Sequence, residues 1–377
     1  MRRWVRRAMG PAGMLGAAIL VAVVGVQLPG AGDRLARAEE DGGEAPVWTV
    51  SAAGLEARGL SSLRIHPKAP EILWAHVHGL GVARSADGGL EWEVKQEGID
   101  ARHLPGPHDA CVLTLDPDDE KVMWLVTKGH VYKSEDQGER WTLKTTGALA
   151  SWSWDRSRSA MKIQGVVVDP KKSLRVLAGT RTEGSYRGGL FESTDGGDTW
   201  EQIAGDDVEK SELGHDAWPI VLDPRTDKNV AVGGGIGFWY STDRGRSFKR
   251  ADPGEIGFHD VRALTELSTR GKRLHLADGR GVWSSRDGGK RWDKKPVLVG
   301  DCVTVATDPH HRKALYAVLR DRGLMISEDT KHTNWEELGH ADLEIHEVLR
   351  HPREKSRLYL ASRTTGLHLS KDDGVSV

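Results

Sequence analysis

The stretch STDGGDTWE, residues 193–201, is acidic, rich in glycine and bracketed by a hydroxyl and an aromatic, which is the look of a calcium loop. The chain writes it repeatedly. Ser-x-Asp-x-Gly-x-x-Trp occurs as SADGGLEW from Ser85, SEDQGERW from Ser134, STDGGDTW from Ser193, STDRGRSF from Ser241 and SRDGGKRW from Ser285. Two degenerate copies follow: SEDTKHTNW from Ser327 lacks the glycine, and SKDDGVSV from Ser370 ends on Val377 where the aromatic belongs. An EF-type calcium loop needs carboxylates at alternate positions and a closing Glu, which these copies do not supply. In a tight turn, Ser and Asp side chains can instead bond nearby backbone N–H groups while glycine supplies a positive φ. The box is therefore expected to be structural.

The serines are spaced by 49, 59, 48, 44, 42 and 43 residues. Around each copy one phrase recurs: an aromatic, a loop, an apolar run closing on Asp-Pro or His-Pro, a second apolar run, a glycine, and a third run ending at the serine. Examples are VVVDP to LAGT to GGLFES, and VATDP to LYAVL to GLMIS. Short runs rich in Val, Leu, Tyr and Trp, bounded by Gly, Pro and Asp, are strands. With the segment after the box, each repeat holds four. Four short antiparallel strands at a period near 45 residues describe a propeller blade, so seven copies predict an all-β, seven-bladed propeller. VWTV at 47–50 matches WTLK from Trp141 but has no box before it. It is expected to be the outer strand of the last blade, with Trp48 filling the aromatic slot that Val377 cannot.

The boxes resemble Asp-box (BNR) repeats, and their spacing resembles that of the sialidase-like and sortilin-like propellers, including xyloglucanase-like proteins and the photosystem II stability and assembly factor. The resemblance covers 47–377. It implies the fold, but hydrolases, receptors and assembly factors all use this architecture. Sialidase-like hydrolysis would require an arginine triad and a Tyr nucleophile; of the five tyrosines, Tyr186 alone falls in a loop, and no Arg-Ile-Pro signature is present.

Before the repeats, Arg2, Arg3, Arg6 and Arg7 precede an apolar run, 13–28, and Ala36-Arg37-Ala38 offers a small-x-small cleavage site. Residues 1–38 read as a secretory signal peptide and 39–46 as a linker. An apolar run of 16 residues is shorter than the ~20 that span a bilayer, so membrane contact is expected only if this segment stays uncleaved. Without 1–38 the chain has 47 basic against 54 acidic residues, a charge that does not suit nucleic acid. An extracytoplasmic monomer without a cofactor is the expectation. Cys111 and Cys302 are too few for a disulfide framework and should be buried thiols.

Function should lie where the blades differ. The loops entering the innermost strands and those joining strands two and three share the rim opposite the boxes. Seven residues before each Asp-Pro or His-Pro stand Asp109, Lys162, Asp216, Asp301 and Glu344, with Gly59 in the first blade and Asp260 added from GFHDV. His108, His215 and His259 come one residue earlier. Such a ring would bind a cation or a basic partner, or would share a proton within a catalytic pair drawn from Asp109, Asp216, Asp260 and Asp301. Crowding should then raise the carboxylates' pKa values. The three histidines are candidate metal ligands, although their spacing carries no ligand signature. Capping of the preceding loops explains the same column more plainly. Arg181, Arg280, Arg320 and Arg363 in the joining loops suit carboxylate or phosphate recognition, or are solvated charges. Trp152 and Trp154, in the insertion 147–165, and Trp218 would form a contact platform or pack on a neighbouring blade. The expected role is binding of a protein or glycan ligand through this rim, with glycoside hydrolysis by rim carboxylates as the alternative and a metal-binding propeller third.

Overall fold

The computed structural model describes residues 49–50, 58–104, 111–153, 162–181, 188–205, 213, 216–235, 237–251, 257–265, 272–311 and 313–374. Trp48, Val377, the signal and the linker lie outside them. The strands pair into seven four-stranded antiparallel sheets. Blade 1 spans 60–94, blade 2 111–143, blade 3 162–205, blade 4 220–250, blade 5 263–299 and blade 6 302–339. Blade 7 spans 345–370 and takes its fourth strand from Thr49–Val50, which pairs antiparallel with Leu369 and His368. The N-terminal strand closes the ring, as the missing last aromatic predicted.

Middle strands of the blades are buried along their length, as in Leu73–Val77 and Leu315–Leu319, whereas outer strands such as Glu93–Val94 are exposed. Because side chains alternate across a strand, each middle strand feeds two neighbours. Val176 and Ala178 pack toward blade 2, while Leu177 between them packs toward blade 4. Seven hydrophobic clusters result among the described residues, one at each blade–blade junction. The junction of blades 7 and 1 is one of them, joining Tyr359 and Leu367 to Leu63 and Ala75.

The boxes are turns. In six copies the serine hydroxyl accepts the amide of the residue four positions on, at 2.7–2.9 Å, and donates to the Asp between them. The amide belongs to glycine each time, and all six of these glycines, Gly89, Gly138, Gly197, Gly245, Gly289 and Gly374, have positive φ, Gly245 at 88° being typical. In the copy without glycine, the buried Ser327 hydroxyl has no partner. The box aromatic packs back onto the preceding blade. Trp141 donates its indole N–H to the Lys95 carbonyl, Trp200 to that of Lys144 and Trp335 to that of Val297, at 2.8–3.1 Å.

At the far end of the innermost strands, the Asp of Asp-Pro caps its own turn. Asp116 Oδ1 accepts the amides of Asp118 and Asp119, and Asp308 Oδ1 those of His310 and His311. In blades 1 and 7 a histidine does this instead. His66 Nδ1 takes the amides of Lys68 and Ala69, and His351 Nδ1 those of Arg353 and Glu354, each pair at 3.2 and 2.8 Å.

Candidate ligand-binding rim

Antiparallel order fixes which loops share a rim. The box joins strands three and four, so the loop joining strands two and three, and the segment entering strand one, must lie at the opposite end. The described residues of the sequence column enter strand one and therefore occupy that end.

Blades 4 to 6 bring part of the column together. Arg262, at the start of blade 5's inner strand, donates Nε to Asp260 Oδ2 at 2.8 Å. Its Nη1 reaches Asp301 Oδ1, in the segment entering blade 6, and the Cys302 carbonyl at 3.1 Å. The second oxygen of Asp301 takes Arg320 Nε at 2.8 Å. Asp260, Arg262, Asp301 and Arg320 thus alternate in sign across two blades. Asp216 stands beside them: its Oδ2 lies 2.7 Å from where a Cβ on Gly235 would be, and the Gly235 carbonyl accepts the Asp260 amide at 2.9 Å.

The expected mutual rise in carboxylate pKa is not what this geometry produces. Burial pushes the Asp301 carboxyl up, but the Arg262 and Arg320 guanidiniums outweigh it and hold the group below the ordinary carboxylate range. Sequence reasoning missed Arg262. Its signal was present, because the positions two after the column read Ser61, Cys111, Gln164, Trp218, Arg262, Val303 and His346, with one cation among them.

The other described residues of the column do not join this arc. Glu344 is exposed, with φ 47°, and follows the turn Ala341–Leu343. Asp260 shares the left-handed backbone, with φ 53°, a conformation Asp tolerates better than most residues. Lys162 is exposed and pairs with Arg181 at the end of the strand Lys172–Arg181. Gly59 breaks the column for a steric reason: a Cβ there would lie 1.6 Å from the Arg363 carbonyl oxygen, so the blade 7 loop passes where a side chain would be. Arg363 itself is exposed.

Arg280 is tied into blade 5, donating to the fully buried Asp278 at 3.2 Å and to the Gly257 carbonyl, with its guanidinium 5.2 Å from the Trp283 ring centroid. Trp218 packs on blade 3, where a Cβ added to Gly165 would come within 2.3 Å of the indole. His259 is exposed. His108, Asp109, His215 and Trp154 lie outside the described residues. Trp152 belongs to the short helix Gly147–Ser153 that opens the insertion. Among the described residues no group of three or more His, Cys, Asp or Glu side chains is arranged to hold a metal ion. No helix among them is long and apolar enough to cross a membrane.

A second feature of this rim was not foreseen. In blade 2, His103 and His130 stack with ring centroids 3.6 Å apart, and His103 Nδ1 shares a 2.6 Å hydrogen bond with the Tyr132 hydroxyl. The Thr127 hydroxyl donates to the His103 carbonyl at 2.7 Å. Burial, aided by repulsion from His103, pushes His130 down to about 4. Burial lowers His103 as well, and the stack ties the segment preceding blade 2 to that blade's second and third strands.

No protein-family model matches the chain, and no curated protein does. Solved structures do. YCF48 from Cyanidioschyzon merolae is 11% identical, with a TM-score of 0.58 over 86% of this chain and 98% of its own. YCF48 bound to a D1 peptide gives 0.57 at 11% identity, over 87% and 98%. An ancestral GH74 enzyme gives 0.63 at 15% identity, over 86% of this chain but 46% of its own length, so this chain spans less than half of that enzyme. The likeness shows the fold alone.

Proposed function

We propose that the protein is an exported binding or assembly module that takes a protein segment on the rim opposite the boxes, over blades 4 to 6. The observation that carries this reading is the Asp260–Arg262–Asp301–Arg320 ladder. Its carboxylates are already paired, and the outermost member, Arg320, keeps 66% of its side chain exposed. Fixed charges of alternating sign suit recognition of polar groups on a partner. They do not suit proton transfer, because a glycosidase must keep one carboxyl protonated near neutral pH, and Asp301 is shifted the other way. The peptide complex of YCF48 supports a protein ligand for a ring of this build. The Ser-x-Asp turns support membership of the Asp-box propellers, and the basic-apolar leader supports export with the ring acting outside the cytoplasm.

The test is chemical cross-linking of the tagged chain in the extracytoplasmic fraction of its own cells, with Asp301→Asn and Arg320→Glu variants alongside. A partner captured by the wild type and lost in both variants, at unchanged melting temperature, is the expected result. Release of reducing sugar from xyloglucan, abolished by Asp260→Asn, would overturn it in favour of the hydrolase.

A further inference from the structure

The box-bearing rim carries a cleft that the repeat does not explain. Between blades 3 and 4 lies a space of about 500 Å³, lined among others by Lys172, Leu174, Arg175, Glu192, Arg244 and Arg246. That is within the size range of sites that bury a ligand. The notch between blades 4 and 5 on the same rim holds about 30 Å³, room for a single water.

Leu174 is the anomaly. Its carbonyl accepts the amide of Gly196 in the box turn, a bond that every well-formed repeat makes from the same place. In the other blades the carbonyl belongs to Glu71, Lys121, Lys228, Lys272 and Ser356, all polar. Only blade 3 among these puts an apolar side chain there, and it is 61% exposed. Packing does not account for a leucine left in water at a position where the repeat otherwise uses polar residues.

Charge surrounds it unevenly. Arg175 is buried and fully engaged by Asp169, Glu192 and the Asp227 and Arg244 carbonyls, so it forms a rigid floor that staples blade 3 to blade 4. Above the floor, Lys172 and Arg244 share one carboxylate, that of Asp227. The exposed Arg246 guanidinium makes no hydrogen bond or ion pair with any described residue. Positive charge is left over here, in a chain whose formal net charge is -2.

We infer that this cleft is a second binding site, independent of the opposite rim, for an acidic peptide segment that lays an apolar side chain on Leu174 and pairs its carboxylates with Arg246 and the Lys172–Arg244 pair. The apolar contact fixes position. The exposed cations supply attraction and on-rate, which salt screens.

The experiment uses a fluorescein-labelled peptide, Glu-Glu-Leu-Glu-Glu-Leu-Glu-Glu, titrated with the folded protein and read by anisotropy. Saturable binding is expected. Leu174→Ser, which installs the residue that blade 7 carries at this place without adding charge, should weaken it about tenfold, as should Arg246→Glu. A peptide with Ser in place of Leu should lose the same factor, and raising salt from about 0.05 to about 0.5 M should weaken all complexes. Arg320→Glu, on the other rim, should change nothing. The proposal fails if the peptide does not saturate, if Leu174→Ser binds as the wild type does, or if polygalacturonate binds where the peptide does not, which would make the cleft a site for an anionic sugar chain.

Discussion

Glu347 Oε2, on the innermost strand of the last blade, accepts the backbone amide of Leu63 on the first, at 2.8 Å. These residues are 284 positions apart in the chain, and the same carboxylate pairs with Arg64. The ring is thus fastened at its inner edge as well as at its outer one, where Thr49–Val50 adds the fourth strand. Glu347→Ala leaves the Leu63 amide without its acceptor and should cost ~1–3 kcal/mol in urea denaturation. A chain begun at residue 51 should melt lower than one begun at residue 47; equal melting temperatures would mean that the terminal strand does not hold the ring shut.

The boxes make a contrast that can be measured within one molecule. Ser193 Oγ accepts the Gly197 amide and donates to Asp195, at 2.7 and 2.8 Å, whereas the Ser327 hydroxyl is buried and unpartnered. Ser193→Ala should cost ~1–2 kcal/mol, and Ser327→Ala should be neutral or stabilising, since it removes a polar group that bonds nothing. Thermal scans of the two variants side by side decide this, and equal losses would contradict the turn assignment.

Stability should fall on mild acidification. His66 and His351 accept backbone amides at Nδ1, so both imidazoles are neutral in the fold, and burial pushes each below 6.5. Burial likewise holds His130, His332 and His346 to about 4. With pKa values depressed in the folded state, the unfolded chain binds more protons on the acid side of its histidine pKa. The stability these groups contribute is full above pH 6.5 and is lost as pH falls toward about 4. His66→Asp and His351→Asp, which install the residue used by most other blades, should flatten part of that loss. A melting temperature that stays level from pH 7 to about 5 would contradict the assignment.

The two cysteines should stay apart and unreactive. Both are free and buried, and burial pushes the Cys302 thiol up to about 12. Iodoacetamide at mildly alkaline pH should leave Cys302 unmodified until denaturant is added, as mass spectrometry would show, because the thiolate is the reacting species.

The fold was legible because its information is periodic. Each box repeats the same local turn, each Asp-Pro the same strand end, and the missing aromatic at Val377 pointed to the segment that supplies the strand Thr49–Val50. The site was only partly legible, because its contacts run between blades. Asp260 and Asp301 fell in one column by comparing each blade with itself one repeat later. Arg262, which joins them, belongs to another column and reaches its partner across a junction that no within-repeat comparison displays. Leu174 was hidden for a related reason: it looks like any strand leucine until its carbonyl's bond to Gly196 puts it in register with Lys121 and Lys272.

The separation of the closing strand from the rest of its blade has a mechanical consequence. Every other blade is a continuous stretch of chain, but blade 7 depends on Thr49 and Val50, which meet their neighbour through two residue pairs. Tension on the chain upstream of Thr49 would therefore load those two pairs before any of the longer strands. The clasp is held to its neighbour by pairing alone, with no turn joining the two strands, and once it parts, the inner fastening between Glu347 and Leu63 is what keeps the first and last blades in step.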